Sequence, residues 1–269
     1  MTVQMTPNND GTERESSPIL ITFPPSLDSE LARFLAQHYG LRHREERHTL
    51  IFSSVATLLH GYTVIFPLLY DENLKLSGPE AIARYFDKGC TPDLRLWPEE
   101  TNRKQQVESD WAHFNQSLAL ATAVFAYYHL LPHRDLMIDP LSSATPAFER
   151  TAVQRAYPVF AGLLRILLRL NARHAAQSLE LIRTTFNVVE ARLDGGQLYL
   201  VGNKLSLSDL AFAVAAAPVV LPPNYGGPIP SFDQMPEEIQ RVVNEMRARP
   251  AGAFALRIYK EQRERFGST

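Results

Sequence analysis

A capped and almost uncharged helix near the end of the chain constrains this sequence more than any other stretch. Residues 205–210 read LSLSDL, and 211–220 continue as AFAVAAAPVV without a charged side chain. Ser206 and Asp209 have the S-x-x-D spacing of a helix start. The hydroxyl accepts the orphan N–H of the third helical position, and the carboxylate reaches back to the N-cap N–H. Leu205 and Leu210 fall at the two positions of a hydrophobic staple. A helix that is apolar on every side has no face to give to water, so it must be buried. Its alanines let neighbouring helices come close. The pattern predicts the central helix of an all-helical domain.

The 269 residues suit two modest domains better than one. Hydrophobic content of 45% and charged content of 21% are those of a globular protein, and a net charge of −2 gives no footprint for a nucleic-acid partner. The single cysteine, Cys90, has no disulfide partner and argues against a thiolate metal site. The eight histidines show no H-E-x-x-H or comparable spacing, so no metal is expected. No run approaches the roughly 18 to 20 apolar residues of a membrane span. The polar N-terminus lacks the apolar core of a secretory signal. These features predict a soluble, cytoplasmic protein with neither membrane nor nucleic-acid contacts.

Residues 1–17 read as a polar, disordered arm. PILITF at 18–23 is a β-branched run read as a buried strand, broken by Pro24 and Pro25. Leu31, Phe34, Leu35 and Tyr39 fall at helical spacing, and Gly40 ends that helix. Charged residues 42–49 suit an edge strand, and 52–60 a short helix stopped by Gly61. Pro67 precedes a strand at 68–70. A turn at 71–73 leads to a return strand at 74–76, and Ser77 to Glu80 opens a helix through Phe86. The order over 18–90 is β-α-β-α-β-β-α. Residues 91–101, with Pro92 and Pro98, read as a linker. Beyond it, helical patterns cover 102–131, 145–193, 206–217 and 236–266, so 102–269 reads as an all-helical domain. Arg165, Arg169 and Arg173 stand four apart, a solvated stripe on one helical face.

Four features stand in a telling order: Pro67 at the start of a strand, GPEAIARYF at 78–86, the capping pair Ser206 and Asp209, and RARP at 247–250. Together they resemble the cytosolic glutathione transferase superfamily. Pro67 resembles its cis-proline, 78–86 its E-S-x-A-I-x-x-Y-L helix, and 247–250 its C-terminal R-x-x-P. RLWP at 95–98 and the segment 250–257 resemble a bacterial subgroup. The resemblance implies a thioredoxin-like N-terminal domain, an all-α C-terminal domain, glutathione as co-substrate and a homodimer. Composition and periodicity show no dimer.

The resemblance also implies site residues. Counting back from Arg33, Ser26 falls where Ser- and Cys-type members keep the residue that activates the thiol of glutathione. Its hydroxyl would hydrogen-bond the sulfur, helped by the positive end of the following helix. The plainer reading is a serine that only caps that helix, and the two roles are compatible. Ser29 completes S-x-x-S where redox relatives carry C-x-x-C, so dithiol chemistry is out. Phe23 supplies no hydroxyl for a tyrosine-type mechanism. Phe66, before Pro67, would offer its backbone to the cysteinyl unit of glutathione. Where relatives place Glu-Ser to hold the γ-glutamyl carboxylate, this chain has Gly78-Pro79, and proline supplies neither hydroxyl nor N–H. Ser77 and the helix N-terminus are the substitutes. Trp111, Phe114, Asn115, Tyr127 and Tyr128 lie on the long helix that walls the electrophile pocket in this family, although aromatics at helical spacing are more often core. The expected function is conjugation, or other use, of the glutathione thiolate on a hydrophobic small-molecule electrophile. The alternative is a non-catalytic member that carries a hydrophobic ligand or docks a partner.

Overall fold

The computed structural model describes residues 17–61 and 63–264. Apart from Ser17, the expected disordered arm lies outside the described residues. Strands β1 (Ile19–Thr22), β2 (Arg44–Arg47), β3 (Leu68–Tyr70) and β4 (Lys75–Ser77) form one mixed sheet in the order β2-β1-β3-β4. β1 runs parallel to β2, with Ile19 opposite Arg44, and antiparallel to β3, with Ile21 opposite Leu68. β3 pairs antiparallel with β4, Leu68 opposite Ser77. A parallel pair needs a crossover, and α1 (Leu27–His38) supplies it. Helices α2 (Leu50–Gly61) and α3 (Pro79–Gly89) complete the expected βαβαββα order. The central β1 buries Leu20 and Ile21, whereas the edge strand reads REER, a charged edge that discourages pairing with other chains.

The rest is helical: α4 (Thr101–Trp111), a π-helical turn over Ala112–Leu118, α5 (Ala119–Leu130), α6 (Arg134–Ser142), α7 (Ala147–Arg155), α8 (Tyr157–Leu167), α9 (Ala172–Leu193), α10 (Leu207–Val220), α11 (Glu237–Arg247) and α12 (Pro250–Glu264). The almost uncharged helix is α10, and all of it except Pro218 is buried, against α1, α4, α5, α11 and α12. Its capping box is present. Asp209 accepts from Ser206 N–H and Ser206 Oγ, both at 2.7 Å, and from Leu200 N–H at 2.7 Å. Arg247 of the RARP motif closes the other end, donating to the carbonyls of Val220 at 2.7 Å and Leu221 at 2.8 Å. These carbonyls end a helix and have no partners within it, so a cation there suits both them and the helix dipole.

Three expectations need correction. Residues 134–142 form α6, despite Pro140 inside it; the proline removes one N–H bond, but it sits in the last turn, so little helix follows it to be kinked. The expected helix over 145–193 is three helices. It breaks at Ala156, before Pro158 of α8, and again where Arg169 takes φ 51° and Asn171 caps α9 by accepting from His174 N–H at 2.9 Å. Arg165, Arg169 and Arg173 therefore do not share one helical face. The segment 91–101 is also more than a tether. Leu96 and Trp97 are buried, Leu96 N–H donates to Asp87 at 2.6 Å, and Leu207 N–H donates to Leu96 C=O at 3.1 Å.

The sheet half and the helical half share one hydrophobic core. Phe34 of α1 meets Tyr259 of α12 edge-on at 4.7 Å. Glu30, fully buried, accepts from Arg33 at 3.1 Å, Arg263 at 2.7 Å and Gly226 N–H at 3.0 Å. A buried carboxylate is tolerated only when its lone pairs are met in this way.

Candidate functional site

Two prolines end β1, and the chain turns so that Ser26 N–H donates to Phe23 C=O at 3.0 Å. Ser26 is the N-cap of α1, its Oγ accepting Ser29 N–H at a long 3.4 Å. Ser29 is fully buried and accepts Phe23 N–H at 3.2 Å, so it braces the turn. The turn is backed from the helical half. Tyr225 Oη donates to Pro25 C=O at 3.3 Å, and a side chain on Gly227 would begin 2.5 Å from the Pro24 carbonyl oxygen. Only glycine allows so close an approach of two backbones.

Beside the turn, the Phe66–Pro67 peptide is cis, and the Phe66 ring meets Phe23 edge-on at 5.8 Å. Gly78 N–H donates to Pro67 C=O at 2.8 Å and Ser77 Oγ to Ile65 C=O at 3.2 Å. Gly78 has φ 80°, a conformation that favours glycine, and Pro79 occupies the first position of α3.

A cleft of about 840 Å³, counting its open mouth, separates this region from the helices. Ser26, Asp28, Leu50 and Phe66 line it from the sheet half. Asn115, Gln116, Leu120 and Tyr127 line it from the long helix, and Leu164, Leu167 and Leu168 from α8 and its end. Behind Pro25, Leu27 and Tyr127 lies a second, apolar hollow of about 670 Å³ reaching Met137, Pro218 and Ile229. Among the described residues, Asp28 is the only charged one lining the cleft. Burial raises its carboxyl pKa, an effect partly offset by a hydrogen bond with the Asn115 side chain. Burial also raises the pKa of the Tyr127 phenol.

One wall is tied down across the halves. Glu149 of α7, 1% exposed, bonds His48 Nδ1 and accepts Thr49 N–H, each at 2.7 Å. Phe148 meets Phe52 of α2 edge-on at 5.3 Å. The hydrogen bond to Glu149 raises the His48 pKa.

The glutathione S-transferase C-terminal domain model matches residues 162–250. A glutathione S-transferase structure from Sinorhizobium meliloti 1021 aligns at 17% identity and TM-score 0.52, covering 89% of this chain and 92% of that one. A glutathione transferase from Pseudomonas putida, solved with glutathione disulfide bound, aligns at 14% identity and TM-score 0.52, covering 92% and 94%. The β-etherase LigF from Sphingobium sp. strain SYK-6 aligns at 14% identity and TM-score 0.57, covering 91% and 99%. The fold is that of the glutathione S-transferase superfamily. No curated protein sequence matches the chain.

Within this glutathione transferase fold, Ser26, Phe66, Asn115 and Tyr127 share the cleft. Pro67, Ser77 and Gly78 adjoin it behind Phe66 without lining it. Trp111 and Phe114 do not reach it. They are 5% and 1% exposed, Trp111 donating to Glu80 at 3.2 Å and Phe114 packing on Phe212 at 5.3 Å. Tyr128 faces another hollow, with His129, His133 and Arg165, because one residue turns about 100° round the helix from Tyr127. Asp28, Gln116 and the α8 leucines are cleft residues that the sequence did not single out. An acid in the first turn of a helix reads as ordinary dipole compensation. Among the described residues no group of three or more His, Cys, Asp or Glu is placed to hold a metal, and no helix is long and apolar enough to cross a membrane.

Proposed function

We propose that the chain is a glutathione transferase-type enzyme. It binds glutathione beside the cis Phe66–Pro67 peptide, stabilises the thiolate through Ser26, and adds it to a hydrophobic electrophile lying against Asn115, Tyr127 and the leucines of α8. The observation that carries this reading is the position of Ser26. It caps α1 with a long, weak hydrogen bond and lies in an open cleft beside Phe66. A hydroxyl donated to sulfur at a helix N-terminus lowers a thiol pKa and increases the reactive thiolate at neutral pH. Holding both reactants in one cleft supplies the rest of the acceleration. The glutathione disulfide in the Pseudomonas putida relative supports the choice of co-substrate. We place the protein in the cytoplasm as a homodimer. The exposed apolar residues Val55, Leu58 and Leu59 of α2 support a buried partner face.

Calorimetric titration with glutathione, run on wild type and Ser26→Ala, tests this. Wild type is expected to bind at micromolar to millimolar concentration with a lowered thiol pKa, and the variant to bind without that shift. One observation favours a second reading, a carrier of hydrophobic ligands with no glutathione site. Pro79 removes an N–H from the α3 N-terminus, and the Ser77 hydroxyl already donates to Ile65. No heat at several millimolar glutathione would decide for the carrier.

A further inference from the structure

Asp28 is the one residue of the cleft whose position calls for a ligand. Sixteen described residues line the cleft, and among them only Asp28 and Tyr127 carry titratable side chains. The other polar groups are Ser26 on the same helical turn and Asn115 and Gln116 on the π-helical turn opposite. Phe66 and the leucines of α2, α5 and α8 make the remaining walls apolar. Asp28 is half-buried and forms no ion pair among the described residues, whereas the fully buried carboxylates Glu30, Glu149 and Asp209 each have several donors or a cation. Its partner is the neutral side chain of Asn115. The widened π-helical turn lets Asn115 and Gln116, adjacent in sequence, both reach the cleft. Such turns recur at functional sites. A carboxyl in apolar surroundings without a cation is poised to exchange a proton.

We propose that Asp28 is the proton shuttle of the cleft, taking the thiol proton while Ser26 stabilises the thiolate and returning it to the acceptor. The proposal rests on the reading that glutathione occupies this cleft. In the first step the S–H proton passes to the Asp28 carboxylate, leaving a thiolate and a carboxylic acid. In the second, a sulfur lone pair forms the S–C bond. The electron pair displaced from the electrophile, whether of a breaking bond to a leaving group or of a double bond being added across, takes the proton from Asp28. The carboxylate is regenerated and no further reactant is consumed. Burial, which raises the proton affinity of Asp28, suits it to both steps. The substrate class that follows is an apolar electrophile whose reaction leaves negative charge on a basic atom next to Asp28.

The test counts protons. Glutathione is titrated calorimetrically near neutral pH in two buffers of different ionisation enthalpy, and bound thiolate is read by its ultraviolet absorbance. Wild type is expected to form thiolate with almost no proton released to the buffer, because Asp28 keeps it. In Asp28→Asn each thiolate formed is expected to release about one proton. Asp28→Ser, whose side chain also suits a first helical turn, is the second variant should the amide fold poorly. Thiolate formation with equal proton release in wild type and variants would overturn the shuttle and leave the glutathione reading standing. The absence of glutathione binding in wild type would overturn both.

Discussion

Two serines cap two helices in this chain, and their surroundings set them to different work. Ser206 is 2% exposed, and its N–H and hydroxyl both donate to Asp209, which also holds Leu200. Ser26 caps α1 at the rim of a cleft, its one cap bond is 3.4 Å long, and the residue three positions on is a serine whose hydroxyl bonds Phe23 N–H and does not reach back to Ser26. The same local sequence logic thus gives a locked group in one place and an available one in the other. The carboxylate partner makes the difference. A serine bound reciprocally has no hydroxyl left for a substrate, whereas a loosely bound cap keeps one.

The largest effect is expected on the locked side. Asp209→Ala leaves two buried backbone N–H groups and a buried hydroxyl without their acceptor, and should cost about 4 kcal/mol in urea unfolding. A loss below about 1 kcal/mol would mean that water replaces the carboxylate and that the lock is loose. Next comes pH. Burial pushes the Asp209 pKa up to about 6 from an ordinary 3.8, against the pull of its hydrogen bonds. The folded state therefore holds this proton more tightly than the unfolded one. Stability from this group is full below about pH 4 and falls by about 3 kcal/mol as pH rises through 6. An Asp209→Asn variant should flatten that slope, and an unchanged slope would place its source elsewhere.

Ser206→Ala should cost about 1 to 2 kcal/mol, and Ser26→Ala only a few tenths. If urea midpoints show the two equal, the contrast between locked and available caps fails. The smallest effect concerns the tie across the cleft. The His48 pKa is raised, so the stability it adds is present below about pH 6.5 and fades as pH climbs through the higher folded value. His48→Ala should remove that component. Hydrogen exchange at the start of α2 is the sensitive readout, and identical exchange in variant and wild type would show that Thr49 alone holds the helix.

Much of the fold was legible because local and tertiary signals agree. The order of elements over the sheet half, the cis Pro67 and the α10 cap follow from turn residues, hydrophobic period and the family resemblance. The breaks at Ala156 and Arg169 were hidden because neither is a glycine, and α6 because Pro140 argues against a helix. The cleft was half legible. Ser26 and Phe66 sit at turns that the sequence marks, and Asn115 and Tyr127 on the expected helix. The π-helical turn shifts the facing by part of a turn, and no periodicity announces it. Trp111, Phe114 and Tyr128 were expected in the cleft because aromatics at helical spacing do not tell which face they share; Asp28 was missed because it reads as an ordinary first-turn acid, and the leucines of α8 because they read as core.

The pair α7–α8 lies between Ala144 and Arg169, two of the three non-glycine residues with positive φ among those described. Its leucines form one bank of the cleft, while Ser26 and Asp28, the residues proposed to react, stand on the other bank. On the proposed function, the bank that would select substrate can diverge without moving the bank that would react, so long as the Glu149 tie to His48 and Thr49 is kept. Among descendants of this chain, changes in substrate range should gather between those two residues, and the sequence around Ser26 should stay still.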